Sequence, residues 1–343
     1  MGGDHGPAVC VRGAMIAGQR LEGVRFLLHG DTALIEAELA RMPTLRAISE
    51  VRHAERAIAM DEKPAQAMRR GKGTSLWNAV AALKEDEAKA VVSAGNTGAL
   101  MAISKLQLRM AADLERPAIV ASWPTARGIS AVLDVGANVE SDAEQLVEFA
   151  IMGAAFHRAV HGSTKPTVGL LNVGSEDQKG HDDVREAHAL LRETTLDFDY
   201  RGFVEGNDIA KGTVDVVVTD GFTGNIVLKS AEGLARFFTN ELKATLTSSL
   251  MAKLGVLVAI GPLKAMRRRL DPGRVNGGPL LGLNGIVVKS HGSADANGFA
   301  SAIKVAVDLA RSDYSQEIAR NVQRVMAAAA RGSDPEPQTG VVG

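Results

Sequence analysis

Only one cysteine, Cys10, occurs in 343 residues. The chain cannot close an internal disulfide, so its fold must rest on core packing. Cys10 lies in the apolar run Ala8-Val9-Cys10-Val11, where a thiol reads as a small core hydrophobe. No Cys/His spacing matches a zinc site, and no carboxylate–histidine cluster has ligand spacing. No metal and no other cofactor is therefore expected. Aromatics make up 4% of the chain, too few for base-stacking platforms, and nucleic acid is not an expected partner. Long hydrophobic runs are also missing. The longest, from Leu254 to Leu263, is ten residues, against about 20 for a membrane span. The N-terminus lacks the basic-then-apolar pattern of a secretory signal, so a cytoplasmic location is expected.

Several catalytic fingerprints are absent as well. There is no G-x-x-x-x-G-K-[ST], no G-x-G-x-x-G after a strand, and no G-x-S-x-G elbow. No nucleophilic Ser or Cys is paired with a local base. The chemistry that remains is positioned direct transfer, without a covalent enzyme intermediate.

What is present is glycine, 36 residues of it, and a rhythm of apolar β-branched runs separated by amphipathic stretches. Strands are expected at residues 24–29, 90–93, 118–122, 129–134, 167–173, 200–204, 214–219 and 285–289. Helices are expected between them, at 75–84, 142–161 and 182–196 among others. Runs such as Val214-Asp215-Val216-Val217-Val218 suit strands buried on both faces. The alternation predicts a Rossmann-like, doubly wound, mostly parallel α/β sheet forming one catalytic unit over residues 1–330, with a flexible tail at 331–343.

A helical excursion at 231–272 breaks this rhythm. Between Lys243 and Arg274 the charge is +6, on a body that carries −7, which implies an anionic partner there. Leu246, Leu250, Leu254 and Leu257 share a helical spacing, and Pro262 is expected to interrupt the helix. Leu263, Met266 and Leu270 then continue a second face opposite Lys264, Arg267 and Arg268. A basic helix with an apolar face suits an anionic bilayer surface. A dimer-packing helix, or a dock for an acidic carrier protein, fits the same pattern.

Five strand ends carry polar, Gly-rich loops: Ser93–Gly98, Asp134–Asn138, Asn172–Gly180, Thr219–Asn225 and Lys289–Asp295. One such loop says little, because Gly, Asn, Asp and Ser serve any strand-to-helix turn as caps. Five of them, at the carboxyl ends of parallel strands, predict one polar crevice suited to an anion such as phosphate.

Met1-Gly2-Gly3-Asp4, Ser93-Ala94-Gly95-Asn96-Thr97-Gly98-Ala99-Leu100, Leu133-Asp134-Val135-Gly136-Ala137-Asn138, Asp220-Gly221-Phe222-Thr223-Gly224-Asn225, Leu280-Leu281-Gly282-Leu283 and Lys289-Ser290-His291-Gly292 resemble, in order, the motifs of the bacterial phosphate acyltransferase family. The resemblance spans roughly residues 1–310. It implies a fold similar to phosphotransacetylase and isopropylmalate-type dehydrogenases. It also implies transfer of an acyl group from acyl carrier protein to inorganic phosphate, giving acyl phosphate for phospholipid synthesis. A homodimer with peripheral membrane association is implied too. Family members carry a short strand, apolar-Asp-Ala-Met, before the Gly-Gly-Asp motif. This sequence starts at that Met, so the resemblance implies a sheet lacking its first strand.

By the same resemblance, Lys179 and Asn225 correspond to the family's proposed catalytic pair. Lys179 supplies positive charge, and Asn225 an amide donor to the thioester oxygen. Taken alone, Lys179 reads as a solvated surface lysine, and Asn225 as the cap of a helix starting near Ile226. Asn96, Thr97, Gly98 and Asn138 bind phosphate or the pantetheine arm, or are turn residues. Asp4 and Asp220, with Gly221, Thr223 and Gly224, orient the donors, or only fix loops. His291 is a candidate acid for the leaving thiolate, or a dimer contact. Leu254, Leu257, Lys264, Arg267, Arg268 and Arg269 are the candidate membrane or carrier-protein contacts. The rival readings are a phosphotransacetylase acting on short acyl-CoA, an isopropylmalate-type dehydrogenase, and a catalytically silent membrane scaffold.

Overall fold

Three consecutive valines show how the layers form. Val216 and Val218 turn to one side of the sheet, packing with Leu133, Val168 and Phe149. Val217 turns to the other, with Val132, Val204 and Ile209. A strand covered on both faces needs apolar residues at every position, which is why these runs do not alternate. The computed structural model describes the backbone of residues 2–270 and 276–332, and the side chains of 2–266 and 276–327.

The chain opens with helix α1 (Gly6–Arg20), β1 (Phe26–Gly30), α2 (Thr32–Leu39), α3 (Pro43–Arg46) and β2 (Ser49–His53). Helices α4 (Pro64–Arg70) and α5 (Ser75–Lys84) lead to β3 (Ala90–Ser93) and α6 (Thr97–Leu108). β4 (Ala118–Thr125) and β5 (Gly128–Leu133) form a hairpin. Then come α7 (Ala143–His161), β6 (Thr167–Leu171), α8 (Asp182–Glu193), β7 (Asp199–Val204), α9 (Gly206–Lys211) and β8 (Val216–Val218). Two helices follow in succession, α10 (Gly221–Thr247) and α11 (Leu250–Leu270). β9 (Gly278–Leu281), β10 (Ile286–Lys289), α12 (Ala296–Arg311) and α13 (Tyr314–Gly332) close the described chain.

Eight strands make one sheet in the order β3-β10-β9-β4-β5-β8-β6-β7, and β1 and β2 pair separately. The expected α/β class with a mostly parallel sheet is found: four ladders are parallel and three antiparallel. Those three alter the expected geometry. They set β3, β10 and β4 running one way, and β9, β5, β8, β6 and β7 the other. The carboxyl ends of β3 and β10 therefore lie at one edge of the sheet, and those of β5, β8 and β6 at the opposite edge. The single crevice expected from five loops becomes two groups of loops. Strand β9 escaped the sequence reading because it is only four residues long and contains Pro279. β2 escaped because Glu50, Arg52 and His53 are exposed and charged or polar.

β1 and β3 do not pair. They line a cavity of about 740 Å³ between them, floored by Cys10, Val11, Phe299 and Ile303 and roofed by Leu76 and Ala79. The Cys10 thiol is half-buried, and burial raises its pKa.

The helical excursion starts earlier than expected, at the cap Asp220, and no residue from 225 to 266 is buried. Its course also differs. The apolar spacing from Leu246 to Leu257 does not lie on one helix, because the chain bends by 114° between α10 and α11. Ser249 caps the new helix by accepting from the Ala252 N–H (3.1 Å). Pro262, expected to end a helix, sits inside α11. It removes one internal hydrogen bond, and the exposed surroundings leave the freed carbonyl to water. No single described helix is long and apolar enough to cross a membrane. The side chains of Arg267, Arg268 and Arg269, and the expected tail from 333 onward, lie outside the described residues.

Helix α7 approaches the sheet most closely at Gly153. A Cβ there would meet Val216 Cγ1 at 2.6 Å and Leu133 Cδ2 at 2.7 Å. Gly153→Ala should therefore destabilise the protein by about 1–3 kcal/mol through overpacking. Urea unfolding checks this, and an unchanged midpoint would refute the close approach.

Candidate functional site

The loop after β5 is organised by one carboxylate. Asp134 is fully buried. It accepts hydrogen bonds from the backbone N–H groups of Ile119 (3.0 Å), Gly136 (3.1 Å), Ala137 (3.0 Å) and Asn138 (2.7 Å), and from Asn138 Nδ2 (3.0 Å). Burial pushes its pKa up, and the bonds from Ala137, Ile119 and Asn138 pull it back. Every partner is a donor, which is the pattern an ionised carboxylate satisfies.

The loop after β8 packs directly on this carboxylate. A Cβ on Gly221 would lie 2.6 Å from Asp134 Oδ2 and 2.1 Å from the Asn138 carbonyl. One on Gly224 would lie 1.9 Å from the Asp134 carbonyl. Only glycine lets the first turn of α10 sit so close. Asp220 caps that helix by accepting from the Thr223 N–H (2.8 Å). Asn225 therefore does not cap a helix, as one sequence reading had it. It sits in the second turn, exposed, and its amide has no hydrogen-bond partner among the described residues. Gly136 lies beside that amide, and a Cβ there would be 3.7 Å from Asn225 Oδ1.

β6 pairs with β8, so the loop carrying Lys179 neighbours the one carrying Asn225. Asn172 shapes this loop, accepting from the Val173 N–H (2.9 Å) and donating from Nδ2 to the Lys179 carbonyl (2.9 Å). The Lys179 side chain lies over Gly174 and pairs with Glu176 (2.9 Å), both partners exposed. The hydrogen bond that Lys179 donates to Glu176 raises the lysine pKa above its ordinary value. Lys179 is thus a fixed positive charge and not a base. An anion must compete with Glu176 to reach it.

The remaining candidates lie at the opposite edge of the sheet. Asn96 is buried and fully engaged: Oδ1 caps α6 through the Ala99 N–H (3.0 Å), and Nδ2 donates to the carbonyls of Ala59, Met60 and Glu62. Thr97 is exposed at the helix start, and Gly98 packs under Pro64. The Asp4 N–H donates to the Gly292 carbonyl (3.0 Å). His291 is exposed, with Nδ1 held by Ser293 (2.8 Å). Asn138 belongs to the first group, where its amide is committed to Pro117 and Asp134. Thus Asn138, Asp220, Gly221, Thr223, Gly224 and Asn225 come together, with Lys179 on the adjoining loop. Asp4, Asn96, Thr97, Gly98 and His291 form a separate group. Among the described residues, no cluster of three or more Asp, Glu, His or Cys could hold a metal.

Two contributors were not singled out from the sequence, Asp134 and Glu176. Asp134 was visible only as part of a motif, and Glu176 only through its i,i+3 spacing to Lys179.

A sequence profile described as fatty acid synthesis protein matches residues 1–317. A phosphate acyltransferase of Caulobacter vibrioides is 76% identical over 330 residues, covering 96% of this chain and 92% of that relative. The chain belongs to the phosphate acyltransferase family. It is an acyltransferase. A phosphate acyltransferase of Phenylobacterium zucineum is 60% identical, covering 99% of this chain and 96% of the relative. Among solved structures, a phosphotransacetylase from Streptococcus pyogenes superposes with a TM-score of 0.56 at 16% identity, covering 87% of this chain and 91% of that one. A branched-chain phosphotransacylase from Enterococcus faecalis gives 0.52 at 14%, covering 90% and 96%. At these identities the likeness is one of fold.

Asp134→Asn places an amide that donates where only acceptors are satisfied. It should cost about 1–3 kcal/mol of stability and at least tenfold in turnover. Matched urea melts and rate measurements test this, and a variant with both values unchanged would remove Asp134 from its organising role.

Proposed function

We propose that the chain transfers an acyl group from acyl carrier protein to inorganic phosphate, giving acyl phosphate for glycerophospholipid synthesis. The observation that carries this reading is the unpartnered Asn225 amide beside Gly136, on a loop adjoining that of the Lys179 ammonium. The relatives' name, phosphate acyltransferase, supports it. A phosphate oxygen attacks the thioester carbon, the new C–O bond forms, and the C–S bond breaks. The sulfur leaves with the bonding pair and takes up the phosphate proton as free thiol. Asn225 Nδ2 donates to the carbonyl oxygen as charge develops there. Lys179 holds the phosphate, exchanging Glu176 for it, and cancels charge that would otherwise repel the attack. A thiolate is a good leaving group, so His291 is not required as an acid.

A phosphotransacetylase-like reaction on short acyl-CoA is the second reading, favoured by the fold neighbours. The excursion helices argue against it. Phe237, Phe238, Leu250, Leu254, Leu257 and Val258 are all exposed, more apolar surface than a short acyl donor needs. In the acyl-carrier-protein reading these residues, with Lys264 and the basic triplet Arg267, Arg268 and Arg269, meet the acidic carrier protein and an anionic bilayer surface, within a homodimer that works in the cytoplasm at the membrane periphery.

Thiol release from palmitoyl-acyl carrier protein should require inorganic phosphate. Release without phosphate, or only from short acyl-CoA, would overturn the reading. Lys179→Ala should lower turnover at least tenfold while melting like the parent chain, and a folded variant with full turnover would sink that role. Replacing Arg267, Arg268 and Arg269 by Ser should reduce co-sedimentation with anionic vesicles, and unchanged sedimentation would remove the membrane contact.

A further inference from the structure

The loops after β3 and β10 hold a lysine that the reaction described above does not use. Lys289 is the last residue of β10, paired across the sheet with Ser93 on one side and Gly278 on the other. Along β10, Val288 packs into the core on one face and Val287 into that beneath α5 and α6 on the other. Strand alternation puts Lys289 on the Val287 face, on the side of the α6 start at Thr97. The residue is half-buried. Its ammonium has three N–H donors and one acceptor, the Ser290 carbonyl. Among the described residues no carboxylate lies within ion-pair distance, whereas Lys89, Lys179, Lys211, Lys229 and Lys304 each have one. Burial lowers its pKa to about 8, and the charge of Asp4 opposes the shift.

A half-buried ammonium with donors that no described protein group fills is favoured beside an anion. The surrounding backbone is bare. Gly3, in the left-handed region at φ +79°, brings the N-terminal segment against the other two loops: a Cβ there would meet Ala94 Cβ at 3.0 Å and the Gly292 carbonyl at 3.2 Å. Ser290 N–H to the Ser93 carbonyl (2.8 Å) and Asp4 N–H to the Gly292 carbonyl (3.0 Å) fasten the three segments together. Among the described residues, Asp4 is the one charge that acts on Lys289.

We infer that Lys289 holds a phosphate group of the substrates, at the edge of the sheet opposite Lys179 and Asn225. This deepens the proposed function and rests on that reading, which brings two phosphate groups to the enzyme: inorganic phosphate and the phosphodiester of the carrier's pantetheine arm. The charge of Asp4 favours the protonated lysine, and the anion fills the donors that Ser290 leaves free.

Competitive acetylation of the full chain, read by mass spectrometry at Lys289 relative to the other lysines, tests this. The probes are inorganic phosphate and 4′-phosphopantetheine, each against chloride at equal ionic strength. Protection of at least threefold by inorganic phosphate assigns the site to a second free anion, distinct from the attacking phosphate that Lys179 holds. Protection by phosphopantetheine alone assigns it to the carrier arm. Protection by neither overturns the inference. Protection in a chain that shows no phosphate-dependent thiol release would leave the site standing and sink the proposed reaction. Lys289→Met abolishes any functional signal of the site: KM for the protecting substrate should rise at least tenfold, with Lys289→Arg restoring most of it. If instead Asp4→Asn and Lys289→Met lower the melting temperature alike and change neither KM, the two are merely a structural pair, and the inference fails.

Discussion

The buried carboxylate of Asp134 is the constraint on which the candidate site depends. A charge removed from water must be satisfied completely. Asp134 meets that demand with five donors, one from Ile119 near the start of β4 and four from Gly136, Ala137 and Asn138 in the loop after β5. In doing so it fixes the Gly136–Asn138 loop and leaves a surface against which only glycine can pack. Gly221 and Gly224 supply that fit. The first turn of α10 is therefore held at a set height above the sheet, and Asn225 is presented one turn further along with its amide free. The preorganisation that acyl transfer requires is carried here by backbone and a buried acid, while Asn225, the residue proposed to meet substrate, has no hydrogen-bond partner among the described residues.

The same logic distinguishes the two lysines. Lys179 is exposed and held by an exposed glutamate, a weak pair that an incoming anion can replace at little cost. Lys289 is half-buried, with the Ser290 carbonyl as its acceptor and the charge of Asp4 acting on it. One is a charge available at the mouth of a loop, and the other is a charge built into the sheet edge. The antiparallel strands β9 and β4 keep these places apart, since they reverse the direction of the sheet between β10 and β5.

Much of this was legible in the residues. The runs at 167–173, 214–219 and 285–289 announced buried strands, and the Gly/Asn/Asp clusters at their ends marked the loops. Residue type could not show strand direction. Gly278–Leu281 is short, interrupted by Pro279, and antiparallel to both of its neighbours, and nothing local in its composition announces that. Missing it turned two sets of loops into one. Nor could composition separate amides that bind from amides that build. Asn96 and Asn138 are spent on the fold, whereas Asn225, of the same type in the same kind of loop, is not. That difference depends on which carbonyls lie nearby, and so on long-range packing. The apolar spacing across 246–257 misled for a related reason: Ser249 supplies a local cap that ends one helix and starts another, and a capping serine looks like any other polar residue.

The central claim is that Asp134 holds a site where phosphate attacks the thioester directly, with no acyl group ever resting on the protein. Isotope exchange tests this most directly. Labelled free carrier protein is incubated with unlabelled acyl-carrier protein and the enzyme, in the strict absence of phosphate and arsenate. Direct attack predicts no label in the acylated pool above the enzyme-free rate. Exchange at a rate comparable to turnover would show a covalent acyl-enzyme and contradict the account.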